Sequence, residues 1–94
     1  MDDMKKSVPF EAPILKIGIY EHYKSTIEDR KYYQVIGVAK HTETGEMLVV
    51  YLPLYETNEE ANFKYFVRPL DMFTEDVEHN GAIMPRFQYV GTEL

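Results

Sequence analysis

The sequence predicts an all-β protein, a small barrel or a strongly bent sheet of five to six short antiparallel strands with one short helical or 3-10 turn. Segments in which apolar and polar residues alternate are separated by turn residues, a pattern typical of short strands. Eight Tyr and five Phe also favour strands, because aromatic side chains suit a pleated, half-buried surface. A closed barrel would remove the exposed strand edges that a tyrosine-rich sheet tolerates poorly.

The 94 residues are enough for one hydrophobic core, and no linker or repeat divides them. Residues 1–13 are predicted to form an extended arm, because Pro9 and Pro13 remove backbone donors and disfavour helix. Residues 14–94 would then form a single small β-barrel domain. No apolar run has the character of a signal peptide or approaches the ~18–20 residues that span a bilayer, so we expect a cytoplasmic protein.

The first predicted strand runs from Leu15 to about Tyr23 and contains the segment GIYEHYKS. Its alternation predicts one apolar side and one polar side. The apolar side would carry Leu15, Ile17 and Ile19, and the polar side Lys16, Tyr20, His22 and Lys24.

The second strand, YYQVIGVAKH, is apolar on both sides, which indicates a central position in the sheet. Gly37 within it is expected to mark a bend or a close backbone approach. Gly45 in TETGE can adopt the left-handed conformation that ends a short hairpin loop. This predicts that residues 39–42 pair antiparallel with residues 46–49.

The return strand MLVVYLPLY is β-branched and aromatic, and the acidic segment ETNEEAN after it is predicted to be a loop. FKYFVRP is expected to form a further strand, stopped by Pro69, which can also begin the helical turn PLDMF. Near the C-terminus, Asn80-Gly81 is the strongest short hairpin signal and should join two short strands.

Charge and cysteine content exclude several classes of function. Cysteine is absent, which removes disulfides, thiolate zinc sites and cysteine nucleophiles. The net charge of −6 opposes binding to nucleic acid, which depends on clustered cations. An RNA- or DNA-binding surface would require most of the basic residues to gather on one face, namely Lys16, Lys24, Arg30, Lys31, Lys40 and Arg86.

Catalytic and metal chemistry find little support in the sequence. Neither Ser7 nor Ser25 lies in the context of a nucleophile. A small-ligand site, or acid–base or hydrolytic chemistry, built around His22 or His41 with a neighbouring carboxylate, Glu21 or Glu43, remains an alternative. The third histidine, His79, lies on yet another segment, without the close spacing of common metal sites. No metal, cofactor or catalytic residue is therefore predicted.

Several motifs, in order along the chain, resemble Domain of Unknown Function family 1653, a family of small bacterial proteins of unassigned function. The matching segments are GIYEHYK, YQVIGVAKHTETGEMLVVYLPLY, FVRPLDMF and PRF, which together extend over about residues 17–88. This sequence departs from the family pattern at Ser25, Thr42 and Phe66, where the family has Gly, Ser and Trp. The resemblance implies an SH3-like all-β fold, a stand-alone or accessory bacterial protein, and no transferable activity.

Carried over position by position, the family pattern and strand alternation together suggest a polar-aromatic binding surface. We expect a non-enzymatic interaction module for a protein or peptide partner, acting as a monomer or weak homodimer. The alternative is that the tyrosines only pack, while Arg68 and Arg86 pair with acidic residues. The candidate binding residues are Tyr20, His22, Tyr23, Lys24, His41, Glu43 and Arg68.

Overall fold

Seven β-strands and one short helix form the described part of the protein, which in this computed structural model comprises residues 14–55 and 64–94. In chain order they are β1 (Gly18–His22), β2 (Tyr32–Lys40), β3 (Met47–Pro53), β4 (Phe66–Pro69), α1 (Leu70–Phe73), β5 (Asp76–His79), β6 (Ala82–Pro85) and β7 (Phe87–Gly91).

The strands form two antiparallel sheets. Five of them pair in the order β4-β3-β2-β1-β7, and β5 and β6 form a separate two-stranded sheet. The predicted all-β, antiparallel character and the single helical turn are confirmed, with seven strands where five or six were expected. Within residues 14–55 and 64–94 the order ends at β4 and β7, which do not pair with each other. The closed barrel is therefore not confirmed.

Strand β2 occupies the centre of the larger sheet, as its two apolar faces predicted. Its register with β3 shifts between Val35, opposite Tyr51, and Gly37, opposite Val50. Ile36 is the extra residue of this β-bulge. A Cβ at Gly37 would meet no atom within 4 Å, so Gly37 accompanies a bend rather than a close approach.

Both predicted hairpins are present. At the first, Lys40 pairs with Met47, and Gly45 has a φ of 79°. At the second, Asn80 and Gly81 have φ values of 56° and 81°, which is the conformation of a two-residue type I′ turn. The left-handed residues were predictable because only a few residue types adopt this conformation at low cost.

The core lies on one side of the larger sheet and is mainly aromatic. Its buried members are Tyr20, Val35, Val49, Tyr51, Phe73 and Phe87. Helix α1 follows directly after Pro69, which presents the fixed φ suited to a helix start. This single turn buries Phe73 to 1% exposure. Full burial of such a side chain stabilises the fold by about 1.5–3 kcal/mol.

The predicted alternation of the first strand is wrong at two positions. Tyr20, assigned to the polar side, is 5% exposed, whereas Ile17, assigned to the apolar side, is 58% exposed. The strand starts only at Gly18, and its register with β7 shifts between Ile19 and Tyr20. Both residues at this irregularity are buried, because the shift interrupts strict alternation.

Gly18 lies where β1 closely approaches the end of β7. Its φ is 148°, and a Cβ at this position would lie 2.7 Å from the carbonyl oxygen of Gly91. The backbone itself therefore excludes a side chain here, which explains a glycine immediately before two buried residues.

The predicted arm (1–13), the acidic loop ETNEEAN and the first residue of FKYFVRP lie outside the described residues. None of the helical structure in residues 14–55 and 64–94 has the length and hydrophobicity of a membrane-spanning segment.

Candidate functional site

His22 lies at the end of β1, opposite Phe87 of β7. Its ring centroid is 5.0 Å from that of Phe87 and 4.6 Å from that of Tyr23. Its Nδ1 accepts a hydrogen bond from the backbone N–H of Lys24 at 3.2 Å, so in the neutral ring Nε2 carries the proton. The ring is therefore oriented by the strand on one side and by an aromatic neighbour on the other.

Burial is the main cause that lowers the pKa of His22 from 6.5 to about 4, and the nearby cations Arg68, Arg86 and Lys24 lower it further. The imidazole is consequently neutral at pH 7. A group with so low a pKa is a weak base at neutral pH, so its environment does not favour the hydrolytic alternative.

A cleft of about 220 Å³ opens beside His22, between the end of β1 and the corner that joins β6 to β7. The corner is held in place by hydrogen bonds. The backbone N–H of Tyr23 donates to the carbonyl of Arg86 at 3.0 Å. The Arg86 side chain donates to the carbonyl of Met72 and to the carboxylate of Glu75. The lining residues are Glu21, His22, Tyr23, Ser25, Met84, Pro85 and Gln88.

Arg68 reaches this region from β4, at the far edge of the sheet. Its Nε donates a hydrogen bond to the hydroxyl of Tyr51 at 3.2 Å, and its guanidinium carbon lies 5.6 Å from the ring centroid of Phe87. Because Arg68 pairs with buried Val49 in register, its side chain points to the core side of the sheet. The guanidinium thus rests on the aromatic core, in the vicinity of His22.

The core tyrosines find partners for their hydroxyl groups in several ways. Tyr20 donates to the carbonyl of Lys16 at 2.7 Å. The hydroxyls of Tyr33 and Tyr55 are hydrogen-bonded to each other. Burial and this bond raise the pKa of Tyr33 well above its usual value. Packing by tyrosines with satisfied hydroxyls, one of the two interpretations of the sequence, thus describes much of the interior.

His41 has a local role in the first hairpin. Its Nδ1 accepts hydrogen bonds from the backbone N–H groups of Glu43 and Thr44, at 3.2 and 3.3 Å. Strand β2, whose nine residues extend ~30 Å at ~3.3 Å per residue, separates this loop from the end of the sheet where His22 lies.

The seven candidate binding residues therefore fall into two groups. His22 and Tyr23 line the cleft and Lys24 follows them in the chain, while the Arg68 side chain contacts Phe87 and acts on His22 from the core side. Tyr20 is buried beneath them. His41 and Glu43 lie at the other end of β2, in the hairpin loop. Participation of these residues in binding stays a prediction.

Sequence reasoning missed the part of the cleft that comes from β6 and β7, namely Met84, Pro85 and Gln88. Only the PRF motif, which begins at Pro85, marked this region. Whether Met84 and Gln88 line the cleft depends on how the chain turns at Arg86, and no local sequence pattern predicts that turn.

Several cations of the described residues are engaged in ion pairs. Three of the six cations considered for nucleic acid are paired with carboxylates: Arg30 with Glu21, Lys31 with Asp29 and Arg86 with Glu75. Across residues 14–55 and 64–94, no three or more His, Cys, Asp or Glu residues are grouped to hold a metal ion.

This fold and site define a small antiparallel β protein with a cleft of mixed polar and aromatic character. The family model of DUF1653, described as a protein of unknown function, matches residues 18–89, and the chain belongs to this family. The resemblance predicted from the motifs is thereby confirmed. No match was found among curated proteins.

A solved structure supports the same assignment. The crystal structure of a DUF1653 protein from Bordetella bronchiseptica is similar to this chain with a TM-score of 0.70 and 35% sequence identity. The similarity covers 83% of this chain and 90% of the other.

Proposed function

We propose that the protein is a non-enzymatic binding module, and that the cleft beside His22 receives a side chain of a protein or peptide partner. The size of the cleft carries this proposal. Its volume of about 220 Å³ suits one or two side chains. It lies below the range of ~300–1,000 Å³ typical of small-molecule pockets.

The chemistry of the lining supports a peptide rather than an apolar ligand. Tyr23 and Met84 supply apolar surface, while Gln88 offers an amide that can both donate and accept hydrogen bonds. Next to Met84, Ile83 is 74% exposed, which extends the apolar surface outside the cleft.

Strand β7 adds a second feature suited to an extended peptide. Among the described strands it pairs only with β1, so the backbone groups on its other side are available for pairing. A peptide that adds to an open sheet edge gains main-chain hydrogen bonds, and a nearby cleft provides selectivity for a side chain. Gln88 belongs both to this strand and to the cleft.

A displayed peptide library panned on the purified protein tests this proposal, with two variants of one strand for comparison. Gln88→Arg places a long charged side chain in the cleft. Val90→Arg introduces the same group two residues along, on the same side of β7 but outside the cleft lining. We expect peptides selected on the wild type to bind at least tenfold more weakly to Gln88→Arg and unchanged to Val90→Arg. Equal binding to both variants, or no enriched peptide, would refute the proposal.

The cytoplasmic location predicted from the sequence is likewise a proposal. Fractionation of the native host, with immunodetection of the untagged protein, would test it. Recovery in a secreted or membrane fraction would contradict it.

A further inference from the structure

We propose that Arg68, resting on Phe87 beside His22, is a recognition site for a carboxylate group. This inference deepens the proposed function, on which it rests, by assigning an acidic group to the partner.

The guanidinium of Arg68 is fixed in place by two contacts. Its Nε–H donates to the Tyr51 hydroxyl, and its guanidinium carbon lies 5.6 Å from the centroid of the buried Phe87 ring. Within the described part of the chain, the terminal Nη groups make no further hydrogen bond or ion pair and form the open end of a planar fork. Such a fork matches the two oxygens of a carboxylate, and an arginine that is already ordered loses less entropy on binding.

A comparison of the three arginines of the chain distinguishes Arg68 from the others. Arg30 contacts Glu21 at 2.7 Å, and Arg86 contacts Glu75 at 3.1 Å. Among the described residues, no carboxylate lies within ion-pair distance of Arg68, although the chain has sixteen acidic residues. Arg68 is a half-buried cation that has no acidic partner within residues 14–55 and 64–94, and a carboxylate that arrives with the ligand would supply one.

The surroundings of Arg68 reinforce the preference for an anion. The charged groups that lower the pKa of the half-buried His22 are the cations Arg68, Arg86 and Lys24, of which Arg86 is paired with Glu75. His22 is neutral, and its Nε2–H is free of the Lys24 hydrogen bond, which makes it a further donor. The two rings that contact the guanidinium, those of Tyr51 and Phe87, pack against each other and against Tyr33, so one side of the guanidinium faces aromatic surface.

A carboxylate fits this arrangement better than a phosphate. One planar guanidinium offers the paired, parallel hydrogen bonds that a carboxylate accepts. Phosphate sites in proteins commonly add backbone N–H groups at a helix N-terminus or several cations. The site provides one oriented guanidinium, that of Arg68, which suits a carboxylate.

Titration of the full-length, isotope-labelled protein with small probes tests the site by NMR. The probes are benzoate, its neutral analogue benzamide, and inorganic phosphate. We expect benzoate to shift the side-chain Nε–H signal of Arg68 and the backbone amide of Phe87. Benzamide should bind at least tenfold more weakly, and phosphate more weakly than benzoate. Equal binding of benzoate and benzamide, or tighter binding of phosphate, would overturn the inference.

Variants of the arginines test whether benzoate binding depends on Arg68. Arg68→Gln removes the charge and the fork, and Arg68→Lys keeps the charge alone; both should weaken benzoate binding about tenfold or more. Arg30→Gln removes an arginine that already has a glutamate partner and should leave binding unchanged. Unaltered benzoate binding by Arg68→Lys would contradict the inference. Because the benzoate and benzamide comparison uses the wild type, it decides the question even if Arg68→Gln does not fold.

Two further probes identify the source of the carboxylate in a peptide. N-acetylphenylalanine presents a terminal carboxylate, and the α-amide of N-acetylglutamic acid presents only a side-chain carboxylate. Binding of either probe supports the site, and the probe that binds more tightly identifies the source of the carboxylate.

Loss of peptide binding in Gln88→Arg with intact benzoate binding supports both proposals. If selected peptides bind at the cleft but no carboxylate probe binds, the inference alone fails. If benzoate binds but no peptide does, the proposed function alone fails.

Discussion

The rings of Phe73 and Phe87 stack face to face, with centroids 4.1 Å apart and planes inclined by only 3°. Phe73 comes from the single helical turn and Phe87 from the first position of β7, so this pair joins α1 to the larger sheet. Tyr20 and Tyr51 each meet Phe73 edge-on, at 5.5 and 5.4 Å. The short helix therefore contributes a buried ring to the aromatic core.

Replacing Phe73 by Ala should lower the free energy of unfolding by about 3–5 kcal/mol, since it removes a buried ring and leaves a cavity. Met72→Ala, one residue earlier and 41% exposed, is the matched control and should cost about 0.5 kcal/mol. Urea denaturation followed by circular dichroism measures both. Similar losses for the two variants would show that α1 does not contribute to the core as described.

Stability should fall with pH on the acid side because of His22. Its folded-state pKa, about 4, is below the ordinary 6.5, so the unfolded chain takes up the proton first. The stabilisation is complete above pH 6.5 and is lost as the pH falls towards 4. By pH 5 we expect a loss of about 1 kcal/mol, after allowance for partial exposure.

Urea denaturation at pH 7 and pH 5 measures this effect, in a range above the usual titration of carboxylates. His22→Gln, which cannot take up the proton, should lose less stability between the two pH values than the wild type. An identical loss in both proteins would assign the pH dependence to other groups.

Two glycines should respond to Ala in opposite ways. Gly81 has a φ of 81° in the β5–β6 turn, where a side chain costs about 1–2 kcal/mol. Gly37 lies in β2 with open space around the position of a Cβ. Gly37→Ala should therefore be neutral or stabilising by up to about 1 kcal/mol, because it restricts the unfolded chain. Thermal unfolding of the two variants gives the comparison, and a destabilised Gly37→Ala would mean that the bulge requires glycine.

His41→Ala should affect stability and not binding. It removes the acceptor for two backbone N–H groups in the first hairpin, at a cost of about 0.5–1.5 kcal/mol. Peptides selected on the wild type should bind the variant with unchanged affinity, because the hairpin is separated from the cleft by the length of β2. Affinity reduced as much as by Gln88→Arg would place His41 in the binding surface after all.

Much of the fold was predictable because its signals are local. Gly45 and Asn80-Gly81 adopt backbone conformations that few other residues tolerate, so these residues were enough to identify both hairpins. Two apolar faces predicted the central position of β2. The failure at Tyr20 has a non-local cause, since the register shift in the pairing of β1 with β7 interrupts the alternation of the two strand faces.

The sequence by itself determined the antiparallel β character, the turns, the helical turn after Pro69 and the family. Only the tertiary structure decided which residues meet. It separated His41 from His22, joined Met84 and Gln88 to the cleft, and brought Arg68 from the opposite edge of the sheet onto Phe87. The reason is that strand pattern specifies the side of a sheet on which a residue lies, whereas register, bulges and chain crossings specify its neighbours.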